Sequence, residues 1–235
     1  MSDLLYVGRS TNAKFRKIGI KTIGDLATAD QELLHSLLGK MGYVLWSFAN
    51  GYDDSPVRVE NTSAPVKSIG NSTTTPRDLE NDEDVRLTIF ILAESVAARL
   101  REHGFKCRVV EISIRDNELY SFTRQKKIAH ATDITGEIAA YAYGLFKENY
   151  DWRKKIRSVG VRGADLVTSD YMEQLDLFQS EMFREKQRKA DRAVDEIRRR
   201  FGFYSVQRGL MYRDRILAAV NAKEEHTVHP HGYFG

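Results

Sequence analysis

Apolar residues are distributed along this chain in three regimes. Over residues 1–55 they form short runs of helical spacing cut by glycines. Lys14–Ile18 reads as a helical turn or two broken by Gly19, and Ile23–Ala27 and Gln31–Leu38 follow, the latter with Asp30 as its N-cap. Gly39-Lys40-Met41-Gly42 reads as a turn, and Tyr43–Ala49 as a last helix stopped by Asn50-Gly51. Residues 52–65 contain Asp53, Asp54, Ser55, Pro56, Asn61, Thr62, Ser63 and Pro65, turn and extended chemistry that predicts an interdomain linker over 56–65.

From residue 66 to about 168, period-two and period-3.6 patterns alternate. Val66–Gly70 predicts a short strand. Val85–His103 predicts a long helix ending at Gly104, with Leu87, Phe90, Ile91, Ser95, Ala98 and Leu100 on one stripe. Cys107–Arg115 alternates, with Val110, Ile112 and Ile114 on one face. Asp116-Asn117-Glu118 is a hairpin turn and Leu119–Lys127 the return strand. Asp133–Glu148 predicts a second helix and Ser158–Leu166 a closing strand. The order β-α-β-β-α-β implies a four-stranded antiparallel sheet with two helices on one face and the other face open. Residues 169–235 form a tail. Its helix, Glu181–Phe201, has a narrow apolar seam (Phe183, Ala190, Val194, Ile197, Phe201) expected to pack on something, and the remainder is expected to be loosely ordered. The expected fold is α+β: a small all-helical domain (1–55), a linker, an α+β domain (66–168) and a helical tail.

Nothing approaches the roughly 18 consecutive apolar residues of a membrane span, and the start of the chain lacks a signal-peptide pattern, so a cytoplasmic protein is the expectation. The single cysteine, Cys107, reads as a small core filler. Net charge is +3, yet basic residues gather at Lys14–Lys21, Lys106–Arg115, Arg124–Lys127, Arg153–Arg162 and Arg184–Arg200, the distribution of a chain with one basic face. On the open sheet face, Val109, Glu111, Ser113 and Arg115 share a parity, as do Ser121, Thr123, Gln125 and Lys127, and Ser158, Gly160 and Arg162. Small, hydroxyl, amide and basic side chains make a flat surface suited to phosphates, though an ordinary solvated sheet face carries the same residues.

Three motifs carry chemistry. Val7-Gly8-Arg9-Ser10-Thr11, followed by Ala13, Phe15 and Gly19-Ile20, resembles a helix-hairpin-helix, which presents glycine backbone N–H groups and a helix N-terminus to a DNA phosphate. The usual hairpin has a second glycine two positions before Gly8. Here Tyr6 occupies it, which weakens or alters that phosphate site. Next come Gly19–Leu26, Lys67-Ser68-Ile69-Gly70 and the β-α-β-β-α-β unit, in that order. In this ordering the chain resembles the thumb and little finger of Y-family lesion-bypass DNA polymerases of the UmuC/DinB group, and its tail from Phe183 to Gly235, with Phe201-Gly202 and Gln207-Arg208-Gly209, resembles the C-terminal extension of Gram-positive members. The resemblance implies a thumb that grips primer–template DNA and a little finger that lays its sheet in the major groove. It implies thumb contacts at Gly8, Arg9, Ser10, Thr11 and Lys14, with Gly39, Lys40 and Gly42 as further candidates. It implies little-finger contacts at Lys67, Ser68, Arg115, Ser121, Thr123, Arg124 and Arg162. Arg124 has the wrong parity for the open face, so a bulge or an approach from the edge is expected there.

The third motif, Gln174-Leu175-Asp176-Leu177-Phe178, resembles the bacterial sliding-clamp-binding pentapeptide, in which a leucine and an aromatic drop into an apolar pocket while the glutamine anchors. Its alternative is the start of the tail helix, using Leu175 and Phe178 as packing contacts. His226, His229 and His231 could suggest a metal, but no cysteine or carboxylate cluster accompanies them. In the family, palm carboxylates hold two Mg²⁺ ions. Their Ser-x-Asp-Glu pattern is absent here, and Asp53-Asp54, Glu80–Asp82 and Asp116–Glu118 read as solvated turn acids. The expected function is therefore the DNA-binding and clamp-binding part of a translesion polymerase, with no cofactor and no polymerisation of its own. The alternatives are a stand-alone protein competing for clamp or DNA and, more weakly, an accessory of a helix-hairpin-helix repair nuclease.

Overall fold

The computed structural model describes residue 1 and residues 3–54, 66–171 and 181–219. The predicted linker (56–65), the Gln174–Phe178 motif and the three C-terminal histidines lie outside the described residues. The chain divides into two units, Met1–Ala64 and Pro65–Gly235.

The first unit is helical: α1 (Arg9–Lys17), α2 (Ile23–Ala27), α3 (Gln31–Leu38) and α4 (Lys40–Ala49). Its core is Val7, Phe15, Ile20, Leu26, Leu34 and Leu45, one buried apolar side chain from each helix plus Val7 and Ile20 from the segments flanking α1. Local signals set the boundaries. Thr22 and Asp25 form a capping box: the Asp25 N–H donates to Thr22 Oγ1 at 3.0 Å, and Asp25 Oδ2 accepts the N–H groups of Thr22 and Lys21, each at 2.9 Å. Those backbone donors hold the Asp25 carboxyl below the usual range. Asp30 caps α3 through the Leu33 N–H at 2.8 Å. The turn expected over Gly39–Gly42 shrinks to one residue, Gly39 (φ 62°), which ends α3 and starts α4. Gly42 is inside α4 and buried; a Cβ there would lie 2.3 Å from the Leu34 carbonyl oxygen, so its hydrogen lets α3 and α4 touch backbone to backbone.

The second unit runs β1 (Ser68–Leu79), α5 (Asp82–Glu102), β2 (Phe105–Asp116), β3 (Ser121–Thr132), α6 (Thr135–Asn149), β4 (Ile156–Thr168) and α7 (Glu181–Phe201). The strands form one antiparallel sheet in the order β1-β4-β2-β3. Its helix-facing side buries Ile69, Val110, Ile112, Ile114, Val159 and Val161 against α5 and α6. β1 is far longer than the predicted Val66–Gly70. The run Asn71–Pro76 has turn composition, yet it pairs with β4 as an edge strand, where Pro76 withdraws no ladder bond from a second neighbour. Register slips between Thr74 and Leu79, around that proline. β3 also extends beyond the predicted Lys127, past a register shift opposite Cys107–Val109.

A helix lying on a sheet should bury one stripe. In α5, 13 of 21 residues are buried, Glu94 among them, so its far side is covered too. The tail does this. Arg184 pairs with Glu137 of α6 at 2.7 Å, and Arg188 with Asp133 at 3.2 Å. Arg198 reaches Glu94 at 3.0 Å. Asp191, the buried residue of α7, accepts the Thr135 N–H at 2.8 Å and Arg208 at 2.5 Å, with Arg101 at 3.4 Å. It thus caps α6, whose own N-cap residue, Ile134, has no side-chain acceptor. Most of the expected apolar seam is not the docked face: Phe183, Ile197 and Phe201 are 59, 38 and 74% exposed, and of its five residues Val194 alone lies in the docked cleft, beside Asp191 and Arg198. Nor is the chain loose directly after α7. Three 3-10 turns (Phe203–Ser205, Gly209–Tyr212, Leu217–Ala219) follow, and Met211, Leu217 and Ala218 join the domain core. Arg77 ties this end down, bonding Asp84 at 2.6 Å and Asp214 at 2.8 Å.

Candidate nucleic-acid interface

Uninterrupted register turns the open face into a lattice. Residues paired across an antiparallel ladder point the same way. Reading from β1 through β4 and β2 to β3, the rows are Ser68, Ala164, Val109, Lys127; then Gly70, Arg162, Glu111, Gln125; then Ser72, Gly160, Ser113, Thr123; then Thr74, Ser158, Arg115, Ser121. The cations in this lattice are Lys127, Arg162 and Arg115, and the one acid is Glu111. Lys67 is exposed just before β1. The other positions are small, hydroxyl, amide or valine side chains, so the surface is low. It is lowest at Gly160, where a Cβ would meet Ser113 Oγ at 2.3 Å and Ser72 Cβ at 3.0 Å. A rigid sheet with low relief admits a duplex backbone closely, and hydroxyls and guanidinium groups are the donors phosphates take.

Lys67, Ser68, Arg115, Ser121, Thr123 and Arg162 therefore lie on this face or at its edge. Arg124 does not. Register is unbroken from Val109–Lys127 to Arg115–Ser121, so the anticipated bulge is missing and Arg124 opposes Ile112 on the helix-facing side. There its Nε donates to Asn149 at 3.2 Å and its guanidinium sits 5.2 Å from the Phe122 ring centroid. Ser72, Thr74 and Gly70 are lattice members that the sequence reading missed. Their signal was the alternation Ser68-x-Gly70-x-Ser72-x-Thr74, masked by the turn-like composition of the same stretch.

In the helical unit, Gly8 is the N-cap of α1 and supplies no side-chain acceptor, and nothing lies within 4 Å of where its Cβ would be. Arg9, Ser10 and Thr11 form the first turn, with no acid among them, and Lys14 is exposed one turn on. The positive end of the helix thus carries open N–H groups and basic side chains. Tyr6 keeps the backbone a glycine would have, at φ 66°, with its ring stacked on Phe48 at 6.3 Å. The start of α4 repeats the arrangement with Gly39 and exposed Lys40. Gly42, proposed from sequence beside them, is instead buried against α3.

Four of the acids that could have suggested a metal are already engaged. Asp116 Oδ1 accepts the Glu118 and Tyr120 N–H groups at 2.9 Å each, Glu118 pairs with Lys154, and Glu80 with Lys155 at 2.6 Å. Asp82 holds Lys147 at 2.5 Å and Trp152 at 2.7 Å, which keep its carboxyl below the usual range. Among the described residues no group of three or more metal-ligating side chains converges, so these residues do not fit a two-metal centre. Among them, too, no helix is long and apolar enough to cross a membrane.

Residues 66–177 match the profile of the impB/mucB/samB family C-terminal domain, and residues 2–53 match the DNA polymerase-iota thumb domain. The chain belongs to the impB/mucB/samB family of Y-family DNA polymerases. Its two units are the thumb and the little finger of that family. It is 51% identical over 212 residues to the DNA polymerase IV of Acetivibrio thermocellus, covering 90% of this chain and 53% of that protein. Identity to the DNA polymerase IV of Moorella thermoacetica is 36%, over 88% of this chain and 51% of that protein. The chain therefore spans about half the length of the curated relatives it matches. A solved Y-family DNA polymerase chimera shares the fold, with a TM-score of 0.55 at 16% identity over 72% of this chain and 47% of the other.

Proposed function

We propose that this chain is the DNA-gripping and clamp-recruiting part of a template-directed polymerase that copies past damaged bases. The observation that carries the reading is the open little-finger face, a low lattice of small residues with Lys127, Arg115 and Arg162 set into it. Cations on phosphates supply affinity without reading sequence, which is what a polymerase needs of a grip that moves along its template. The uncapped starts of α1 and α4, with Arg9, Lys14 and Lys40, offer further backbone contacts. The names of the relatives, DNA polymerase IV, support the same setting. Gln174–Phe178 is the recruiting element: Leu177 and Phe178 enter an apolar pocket of a sliding clamp, and Gln174 anchors them. In such a polymerase the palm carboxylates would hold Mg²⁺, which would serve to activate the primer hydroxyl. This chain contributes binding and recruitment, acts in the bacterial cytoplasm at the nucleoid, and does not polymerise by itself.

The test is titration of a labelled primer–template with the chain and with a Lys67→Ala, Arg115→Ala, Arg162→Ala variant. The variant is expected to bind at least tenfold more weakly, by the same factor on duplexes of different sequence. Equal binding by the two in moderate salt contradicts the sheet-face reading. Recruitment is tested separately with a purified bacterial sliding clamp: the parent binds and a Leu177→Ala, Phe178→Ala variant does not.

A further inference from the structure

An acid at the centre of a surface meant for a polyanion calls for an account. Glu111 occupies the second row of the lattice, between Arg162 of β4 and Gln125 of β3. Its side chain is 12% exposed, and its Oε1 accepts from Arg162 Nη2 at 2.5 Å, while the Arg162 side chain is 48% exposed. On the other flank, Gly70 leaves the space Arg162 uses. A Cβ at Gly70 would lie 2.9 Å from the Arg162 Cβ, 3.1 Å from Cγ and 3.3 Å from Cδ. Arg162 is thus placed from both sides: its stem stands in the gap over Gly70, and its head is tied on one nitrogen to a largely buried carboxylate. A guanidinium has five N–H donors in a rigid fork, so a bond through Nη2 leaves the others for a second acceptor.

We propose that Glu111 is a positioning residue, which holds the Arg162 fork upright at the centre of the sheet so that its free edge meets one phosphate of the duplex backbone. This rests on the DNA-face reading above. An untethered arginine on an exposed strand samples many rotamers and loses side-chain freedom when it binds, whereas one already held loses less. Gly70 belongs to the same device, because any side chain there displaces the stem.

The proposal predicts an effect opposite in sign to simple charge. Removing an acid from a DNA-binding face tightens binding if the acid only repels phosphate. If Glu111 positions Arg162, Glu111→Ala weakens primer–template binding by about threefold to tenfold. It also lowers the salt slope of log K by up to about 0.9, the loss of one phosphate contact. Glu111→Gln keeps an acceptor for Nη2 and is expected to restore most of the affinity. In an Arg162→Ala background, Glu111→Ala has no further effect. Each variant is measured in the full chain, with its thermal transition recorded, and the Gln variant serves if the Ala variant unfolds. Binding by Glu111→Ala or Glu111→Gln tighter than the parent overturns the positioning role while leaving the face intact, provided Arg162→Ala alone weakens binding. If Arg162→Ala has no effect, Arg162 is not a phosphate contact, and this proposal and that part of the face assignment fall together.

Discussion

The tail is held to the little finger by charge rather than by its apolar seam, and Asp191→Ala tests this most sharply. The Asp191 side chain is 4% exposed and bonds the Thr135 N–H, Arg208 and, more distantly, Arg101. Removing one partner of a fully buried ion pair costs about 3–5 kcal/mol. Here the cations retain other partners. Arg101 keeps Asp195 at 2.6 Å and the Asp133 carbonyl at 2.5 Å, and Arg208 keeps Glu94 at 2.9 Å. The uncompensated loss is the α6 cap, about 1–3 kcal/mol for a buried N–H left without an acceptor, plus part of the pairing, so about 3 kcal/mol in all. For a unit of this size 1 kcal/mol moves Tm by about 2–4 °C, so a fall of about 6–12 °C is expected by circular dichroism. Phe201→Ala, on the exposed seam, is the control and should stay within about 0.5 kcal/mol of the parent. A larger loss from Phe201→Ala than from Asp191→Ala would refute the argument and restore the seam as the docking face.

Other measurements probe separate parts of the structure. Gly42→Ala forces a Cβ against the Leu34 carbonyl and should cost about 1–3 kcal/mol, seen as early melting of the helical unit. The Cys107 thiol is fully buried, which pushes its pKa up to about 12, so it should resist alkylation at neutral pH and react promptly once the chain is unfolded in guanidinium. Asp82 is held below its unfolded value by Lys147 and Trp152. Its contribution is therefore present above about pH 4 and lost as pH falls through the folded value, and Asp82→Asn should flatten the stability profile in that acid range.

Much of the little finger was legible in the sequence because strands write their faces into alternation. Val110, Ile112 and Ile114 against Glu111, Ser113 and Arg115 gave both the core and the open face, and the ladder leaves that parity unbroken. Glycines and caps such as Asp30 and Gly104 marked helix ends for the same local reason. What was hidden depended on tertiary contact. Asn71–Pro76 has turn composition and becomes a strand because β4 is there to pair with it. Gly42 reads as a turn glycine until α3 is packed against it. Periodicity counts apolar residues, so it selected the wrong face of α7. The docked residues Arg184, Arg188, Asp191, Asp195 and Arg198 also repeat at three and four, but their partners lie in α5, in α6 and just before α6, far away in sequence. Arg124 shows the reverse: its parity already assigned it to the helix side, and only the resemblance drew it onto the DNA face.

If the little-finger sheet binds DNA through backbone phosphates, primer–template affinity must carry the salt dependence of those contacts. With each phosphate contact contributing about 0.9 to the slope of log K against log[salt], loss of Lys67, Arg115 and Arg162 should make the slope shallower by roughly 2–3. Parallel salt lines for the parent and the triple variant would contradict the account and leave the face an ordinary solvated surface.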